Sequence, residues 1–299
     1  MKGLVRTLFV STVLLLGAVT ASPAAADDTA TTPGAPVQLA LGDSWAFGFG
    51  GNPDPTATDP YVDGYVPQLY RTLQEDYDCL PAHTEADGCK QLQLLNLAQG
   101  GAVTAPQPES PNRPSLTEDQ FPDALPLLES RNGDGNPRND VEVTTVHTGG
   151  NDVFGPIINA CLGPSPGTCL PTVRGELRQY RIDLTEALST LRGAAGDETI
   201  VIGTYDNSFR DQSPTTCSLA GNSLVIALGN LVLEGVPGFF QGMHDIMRSV
   251  GAQYQVQVAE VFGDLTEPAD WFDCLHPTDS GYDKVTDAFE EVLGVGQSG

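Results

Sequence analysis

Short apolar runs alternate along this chain with longer stretches of helical periodicity, and that alternation limits the fold more than any other feature. Val37–Leu41, Leu92–Ala98, Val141–Val146, Thr199–Thr204 and Tyr254–Val261 read as strands. The third is the clearest, because Val141, Val143, Thr144, Thr145 and Val146 are all β-branched. Between the strands lie helical patterns. Tyr65–Tyr77 repeats apolar residues at Tyr65, Val66, Leu69, Tyr70 and Leu73. Val173–Leu191 does so at Val173, Leu177, Tyr180, Leu184, Leu188 and Leu191, and Asp279–Leu293 at Tyr282, Val285, Ala288, Phe289 and Leu293. Thr117–Glu129 carries a weaker pattern interrupted by Pro122 and Pro126, and Leu219–Val250 reads as helix with Gly and Pro breaks. Strands joined by helices of this length return parallel, with helices on both faces of the sheet. The expected fold is therefore α/β, a three-layer α/β/α sandwich around a mostly parallel sheet of about five strands.

The first residues have a different character. Lys2 and Arg6 precede the apolar run Leu8–Val19, and Ala24-Ala25-Ala26 offers small residues for cleavage, so residues 1–26 read as an export signal. The mature chain is expected to begin at Asp27, with an extension over 27–35 and a single domain over 36–299. No later segment has the roughly 18 consecutive apolar residues of a membrane helix. With 14 basic against 39 acidic residues the chain carries −25, and more once Lys2 and Arg6 leave with the leader. Such a charge repels nucleic acid and anionic membranes and favours solubility. Six cysteines in an exported chain are an even set suited to disulfides. Several connectivities are open. Cheap local closure favours Cys79 with Cys89 and Cys161 with Cys169, which leaves Cys217 for Cys274. No C-x-x-C pair suggests a metal instead. The expected molecule is a secreted, extracellular monomer.

In parallel sheets, function gathers at the carboxyl ends of the strands. Here the first three strands end in Gly42-Asp43-Ser44, Gln99-Gly100-Gly101 and Gly149-Gly150-Asn151-Asp152. Ser44 can serve as a nucleophile held out at the sheet edge. His276, with an ordinary pKa of about 6.5, can take its proton and later return it. Asp273, three residues earlier, can orient the imidazole. Asn151 and the backbone of Gly101 can donate to an oxyanion. Each has a plainer reading as turn or cap chemistry. His147 is the less favoured base, because no carboxylate is placed to orient it. His244 reads as lying on a polar helical face, and His83 falls in the first cysteine loop. Gly163-Pro164-Ser165-Pro166-Gly167 matches the G-x-S-x-G elbow, but Pro166 has no N–H to offer an oxyanion. Asp134-Gly135-Asn136 reads as a turn, lacking the rest of a calcium loop.

Four blocks in this order resemble the SGNH, or GDSL, hydrolases: Gly42-Asp43-Ser44, Asn96-Leu97-Ala98-Gln99-Gly100-Gly101-Ala102, Gly149-Gly150-Asn151-Asp152, and Asp273-Cys274-Leu275-His276-Pro277. The resemblance spans residues 36 to 293 and implies a flavodoxin-like sandwich. It carries the nucleophile onto Ser44, the oxyanion glycine onto Gly101 (with Gly100 one register away), the oxyanion asparagine onto Asn151, and the base and its carboxylate onto His276 and Asp273. It suggests that Asp43 braces the loop rather than completing the triad. The cysteine spacing is similar to secreted three-disulfide esterases and lipases of that family, which supports the 79–89, 161–169 and 217–274 pairing. Trp45 stands where the family often has leucine, and either walls an acyl pocket or packs in the core. The implied activity is hydrolysis of carboxylic esters, lipid or small-molecule, without a cofactor. Deacetylation of polysaccharide is the alternative, and a non-catalytic binding protein on the same fold a more distant one.

Overall fold

The computed structural model describes residues 35–51, 63–76, 92–108, 110–136, 139–163 and 166–296. Its elements run β1 (Val37–Gly42), α1 (Ser44–Phe47), α2 (Tyr65–Asp76), β2 (Gln93–Asn96), a π turn (Leu116–Gln120) leading into α3 (Phe121–Asn132), and β3 (Val141–His147). There follow α4 (Gly150–Leu162), α5 (Cys169–Ala195), β4 (Thr199–Gly203), α6 (Ser223–Glu234), a small ribbon of β5 (Gly235–Val236) and β6 (Phe240–Gln241), α7 (Met243–Gln253), β7 (Gln257–Ala259) and α8 (Asp279–Leu293).

Five strands form one sheet in the order β2-β1-β3-β4-β7, all parallel. Two groups of helices cover it, α2 with α8, and α3, α4 and α7 around α5. Every residue of β1 is buried, as a central parallel strand covered on both faces requires. The apolar stripe of α5, from Val173 through Leu177, Tyr180, Leu184 and Leu188 to Leu191, is buried along its length. Each such leucine contributes about 1.5–3 kcal/mol relative to exposure. Tyr65 of α2 stacks on Phe289 of α8, ring centroids 4.6 Å apart.

The α/β sandwich is as expected, with local differences. The Thr117–Glu129 pattern divides: Ser115 caps a π turn, and Pro122 falls in the first turn of α3, where its missing N–H leaves no bond unmade. Leu219–Val250 is two helices separated by the β5–β6 ribbon, with Asn222 capping α6 through bonds to Leu224 and Val225. Only Gln257–Ala259 of the fifth run is strand. Helix α4 adds to the expected elements: Gly149 stands at its N-cap, and Gly155 and Pro156 fall inside it. Asp134 forms a turn, accepting from the Asn136 N–H at 2.7 Å and from Asn139 at 2.9 Å. Disulfides join Cys161 to Cys169 and Cys217 to Cys274. Residues 1–34, and Cys79 and Cys89 with their expected bridge, lie outside the described residues.

Candidate active site

The site begins where β1 ends. Gly42 has φ +135°, and a Cβ there would come within 2.1 Å of the His147 carbonyl on the adjacent strand, so only glycine fits. Gln120, buried at the end of the π turn, grips this residue twice. It accepts from the Gly42 N–H at 2.8 Å and donates to the Gly42 carbonyl at 2.7 Å. Asp43 then caps α1, accepting from the Trp45 N–H at 3.0 Å, and receives the Tyr205 hydroxyl at 2.5 Å. Burial pushes the Asp43 carboxyl up to about 6, against the Tyr205 and Trp45 bonds and the charges of His276 and Arg113. Ser44 is the first residue of α1, so its N–H has no acceptor within the helix.

His276 arrives from the other end of the chain. Its loop, 272–277, is closed by the Phe272 N–H donating to the His276 carbonyl at 2.8 Å and by a bridge between Trp271 and Pro277. Within the loop Asp273 Oδ1 accepts from the N–H groups of Leu275 (2.7 Å) and His276 (2.9 Å), an Asx turn. The same carboxylate lies 2.9 Å from His276 Nδ1 through both oxygens. His276 Nε2 lies 2.9 Å from Ser44 Oγ, across 232 residues of sequence. Asp273 is partly buried. Burial raises its pKa, but the bond and charge of His276 and the two backbone donors outweigh this and hold it below the ordinary value. Trp45 ties the two halves together, its indole N–H donating to the Leu275 carbonyl at 3.0 Å. Its ring is buried against His147, Tyr205 and Trp271, so of the two readings of Trp45 the core one describes its place. The Phe49 ring lies 4.6 Å from the imidazole, and beyond it stands Phe272, 54% exposed.

The other two strand ends converge on a third cluster. Gln99 donates its N–H to the Gly42 carbonyl at 3.0 Å, which sets the 99–102 turn beside the Gly42-Asp43-Ser44 turn. Gly101 has φ +81°, and among the described residues no atom lies near the position of a Cβ. Asn151, in the first turn of α4, donates to the Ala102 carbonyl at 2.9 Å and accepts from Arg113 at 2.9 Å. Its neighbour Asp152 is buried and receives the Thr104 N–H at 3.0 and 3.1 Å and the Thr104 hydroxyl at 3.2 Å. Burial, opposed by the Thr104 bonds, pushes Asp152 up to about 7.

Two other histidines fall elsewhere. His147 is enclosed by Trp45, Tyr65, Tyr205 and Phe289. Among the described residues neither of its ring nitrogens makes a hydrogen bond of ordinary geometry, and burial lowers it to about 3. His244, expected on a polar face, is fully buried: Nδ1 pairs with Glu234 at 2.5 Å and Nε2 accepts from the Tyr205 N–H at 3.3 Å. The reason is that α7 turns this position toward the sheet, where the histidine satisfies a buried backbone donor. The G-x-S-x-G segment links α4 to α5, and its Ser165 lies outside the described residues. Sequence reasoning missed Gln120, Tyr205 and Arg113. Only Arg113 left a signal, a rare basic residue in the Pro-rich loop between two strand-end blocks.

A serine, a histidine and a carboxylate in line at the carboxyl edge of a parallel sheet, with glycine and asparagine at the neighbouring strand ends, is the arrangement that defines the SGNH class. Residues 39–289 match the model of the GDSL-like lipase/acylhydrolases, and the chain belongs to that family. Among solved structures, the extracellular lipase of Streptomyces rimosus is similar with a TM-score of 0.57 at 16% identity, over 86% of this chain and 100% of that one. Phospholipase A1 of Streptomyces albidoflavus NA297 is similar at 0.51 and 14%, over 86% and 99%. At these identities the likeness is one of fold. No curated protein sequence matches the chain.

Proposed function

We propose that this chain is an exported carboxylic ester hydrolase acting through an acyl-enzyme on Ser44. The observation that carries the reading is the unbroken line from Ser44 Oγ through His276 to Asp273, each step 2.9 Å. His276 Nε2 takes the hydroxyl proton as Oγ attacks the ester carbonyl carbon. Asp273 holds the Nδ1 proton in place and stabilises the imidazolium. The tetrahedral oxyanion is held by the N–H groups of Ser44 and Gly101 and by the Asn151 amide, and the positive end of α4 adds to that field. Collapse expels the alkoxide, protonated by His276. Water then attacks the acyl-enzyme, gives its proton to His276, and the acid leaves as the Ser44 hydroxyl is restored.

The preferred substrates are acyl esters of modest chain length. The apolar rim of Phe49 and exposed Phe272 beside the base favours an acyl or lipid moiety over a sugar. The lipase and phospholipase among the fold neighbours agree with this preference, and the two disulfides suit an exported protein. The test sets p-nitrophenyl esters of rising chain length beside acetylated xylan, using the wild-type chain and Ser44→Ala. Wild type is expected to be fastest on the medium esters, and Ser44→Ala to lose on the order of 10⁴-fold or more in kcat. Full hydrolysis by Ser44→Ala would overturn the mechanism, and preference for acetylated xylan the substrate class.

A further inference from the structure

Arg113 occupies a position that the reaction steps above do not use. Its Nε donates to the Gly101 carbonyl at 2.9 Å, one terminal nitrogen to the Asn151 carbonyl at 3.3 Å, and the other to the Asn151 side-chain oxygen at 2.9 Å. One planar guanidinium therefore holds both strand-end segments that supply oxyanion donors. The loop that carries it is fixed in turn: the Val103 N–H donates to the Pro114 carbonyl at 3.0 Å and the Leu116 N–H to the Val103 carbonyl at 2.8 Å, clamping the backbone on both sides of Val103. The side chain is half-buried, and the buried carboxyls of Asp152 and Asp43 lie near enough to interact with its charge.

The consequence for Asn151 is geometric. Its amide can rotate or flip about the last side-chain bond, and only one orientation aims an N–H into the site. The Ala102 carbonyl takes one of the two N–H bonds. Arg113 donates to the oxygen, which excludes the flipped amide, because two donors would then face each other. The remaining N–H is left to the oxyanion. Gly101 needs the same help. With φ +81° and no side chain to lock it, its backbone is free to swing unless its carbonyl is held.

We propose that Arg113 is a positioning residue for the oxyanion hole, fixing the Asn151 amide and the Gly101 backbone in the orientation that meets the developing negative charge. This rests on the ester-hydrolase reading above. Since the bonds act before substrate arrives and strengthen only the transition state, their loss falls on kcat rather than KM.

The experiment compares Arg113→Gln, Arg113→Lys, Asn151→Ala and the Arg113→Gln/Asn151→Ala double variant with wild type and Ser44→Ala. It reads kcat and KM on one p-nitrophenyl ester, affinity for an alkyl boronic acid, and thermal midpoint. Asn151→Ala should lose about 10²–10³-fold in kcat, as the removal of one oxyanion donor does. Arg113→Gln should lose less, about 10–100-fold, with KM within about threefold and boronate affinity falling in step with kcat. The double variant should fall well short of the product of the two single losses, since two of the three Arg113 bonds act through Asn151. Arg113→Lys keeps the charge but not the three directed bonds, and should recover little of the rate. It also serves if Arg113→Gln does not fold. Wild-type kcat in a folded Arg113 variant, or losses that multiply, would overturn the proposal. Hydrolysis surviving in Ser44→Ala would instead overturn the underlying reading.

Discussion

Asp273 does two jobs with one carboxylate. Oδ1 accepts the Leu275 and His276 N–H groups that shape the loop, while both oxygens face His276 Nδ1. An asparagine there can keep the turn through its carbonyl oxygen, yet its NH₂ faces the imidazole and favours the tautomer whose Nε2 carries a proton. That tautomer cannot accept from Ser44. Asp273→Asn is therefore expected to lose about 10⁴-fold in kcat at neutral pH with its circular dichroism unchanged. A loss under about tenfold would show that the carboxylate only shapes the loop. At this scale the juxtaposition of Ser44, Asp273 and His276 was legible, because each lies in a short local pattern that the fold brings together. Gln120 and Arg113 were not, since their importance comes from what the fold sets beside them. Gln120 meets Gly42 across 78 residues, and no local pattern encodes that meeting.

Among the elements, the loop before α8 depends on ties to distant parts of the chain. Trp45 holds it from α1, and the Cys217–Cys274 bond holds it from the segment after β4. Around that bond Phe209, Cys217 and Val225 form a small apolar cluster, with Leu275 packed against it. Closing a loop of 57 residues restricts the unfolded chain by about 4 kcal/mol at most. Reduction of Cys274 is expected to lower kcat through loss of His276 placement, and to lower the thermal midpoint as well. The check is activity after complete reduction verified by thiol labelling, and unchanged turnover would refute it. The long amphipathic helices were legible because their apolar stripes run for several turns. Helix α4 was not: Gly149 and Gly150 look like a turn, and Pro156 like a stop. Tertiary contact overrides these signals, for a Cβ at Gly149 would lie 2.4 Å from the Tyr180 ring of α5, so the glycine is there to let two helices approach.

At the scale of the molecule, His147 and Asp152 contribute to the pH dependence of stability with opposite signs. His147 is lowered from 6.5 to about 3. The unfolded chain thus binds the extra proton between about pH 6.5 and 3, and stability falls across that window on acidification, by on the order of 5 kcal/mol in full. Asp152 is raised from 3.8 to about 7. There the folded chain holds the extra proton, so stability falls as pH rises from about 4 to 7, by on the order of 4 kcal/mol. The two windows overlap and their slopes oppose, so each contribution shows as a difference from wild type. The thermal midpoint of His147→Leu should gain on that of wild type as pH falls from about 6.5 to 3, and that of Asp152→Asn, which keeps an acceptor for Thr104, should gain as pH rises from about 4 to 7; parallel curves for the variants and wild type would refute the assignment. The bond between Trp45 and Leu275 has a further bearing on when chemistry starts. Ser44 follows the first strand of the sheet and His276 lies just before the closing helix, so under the proposed mechanism a growing chain carries a nucleophile without a base. Hydrolysis cannot begin until both ends of the sheet domain have met, and the producing machinery handles an inert polypeptide until folding is complete.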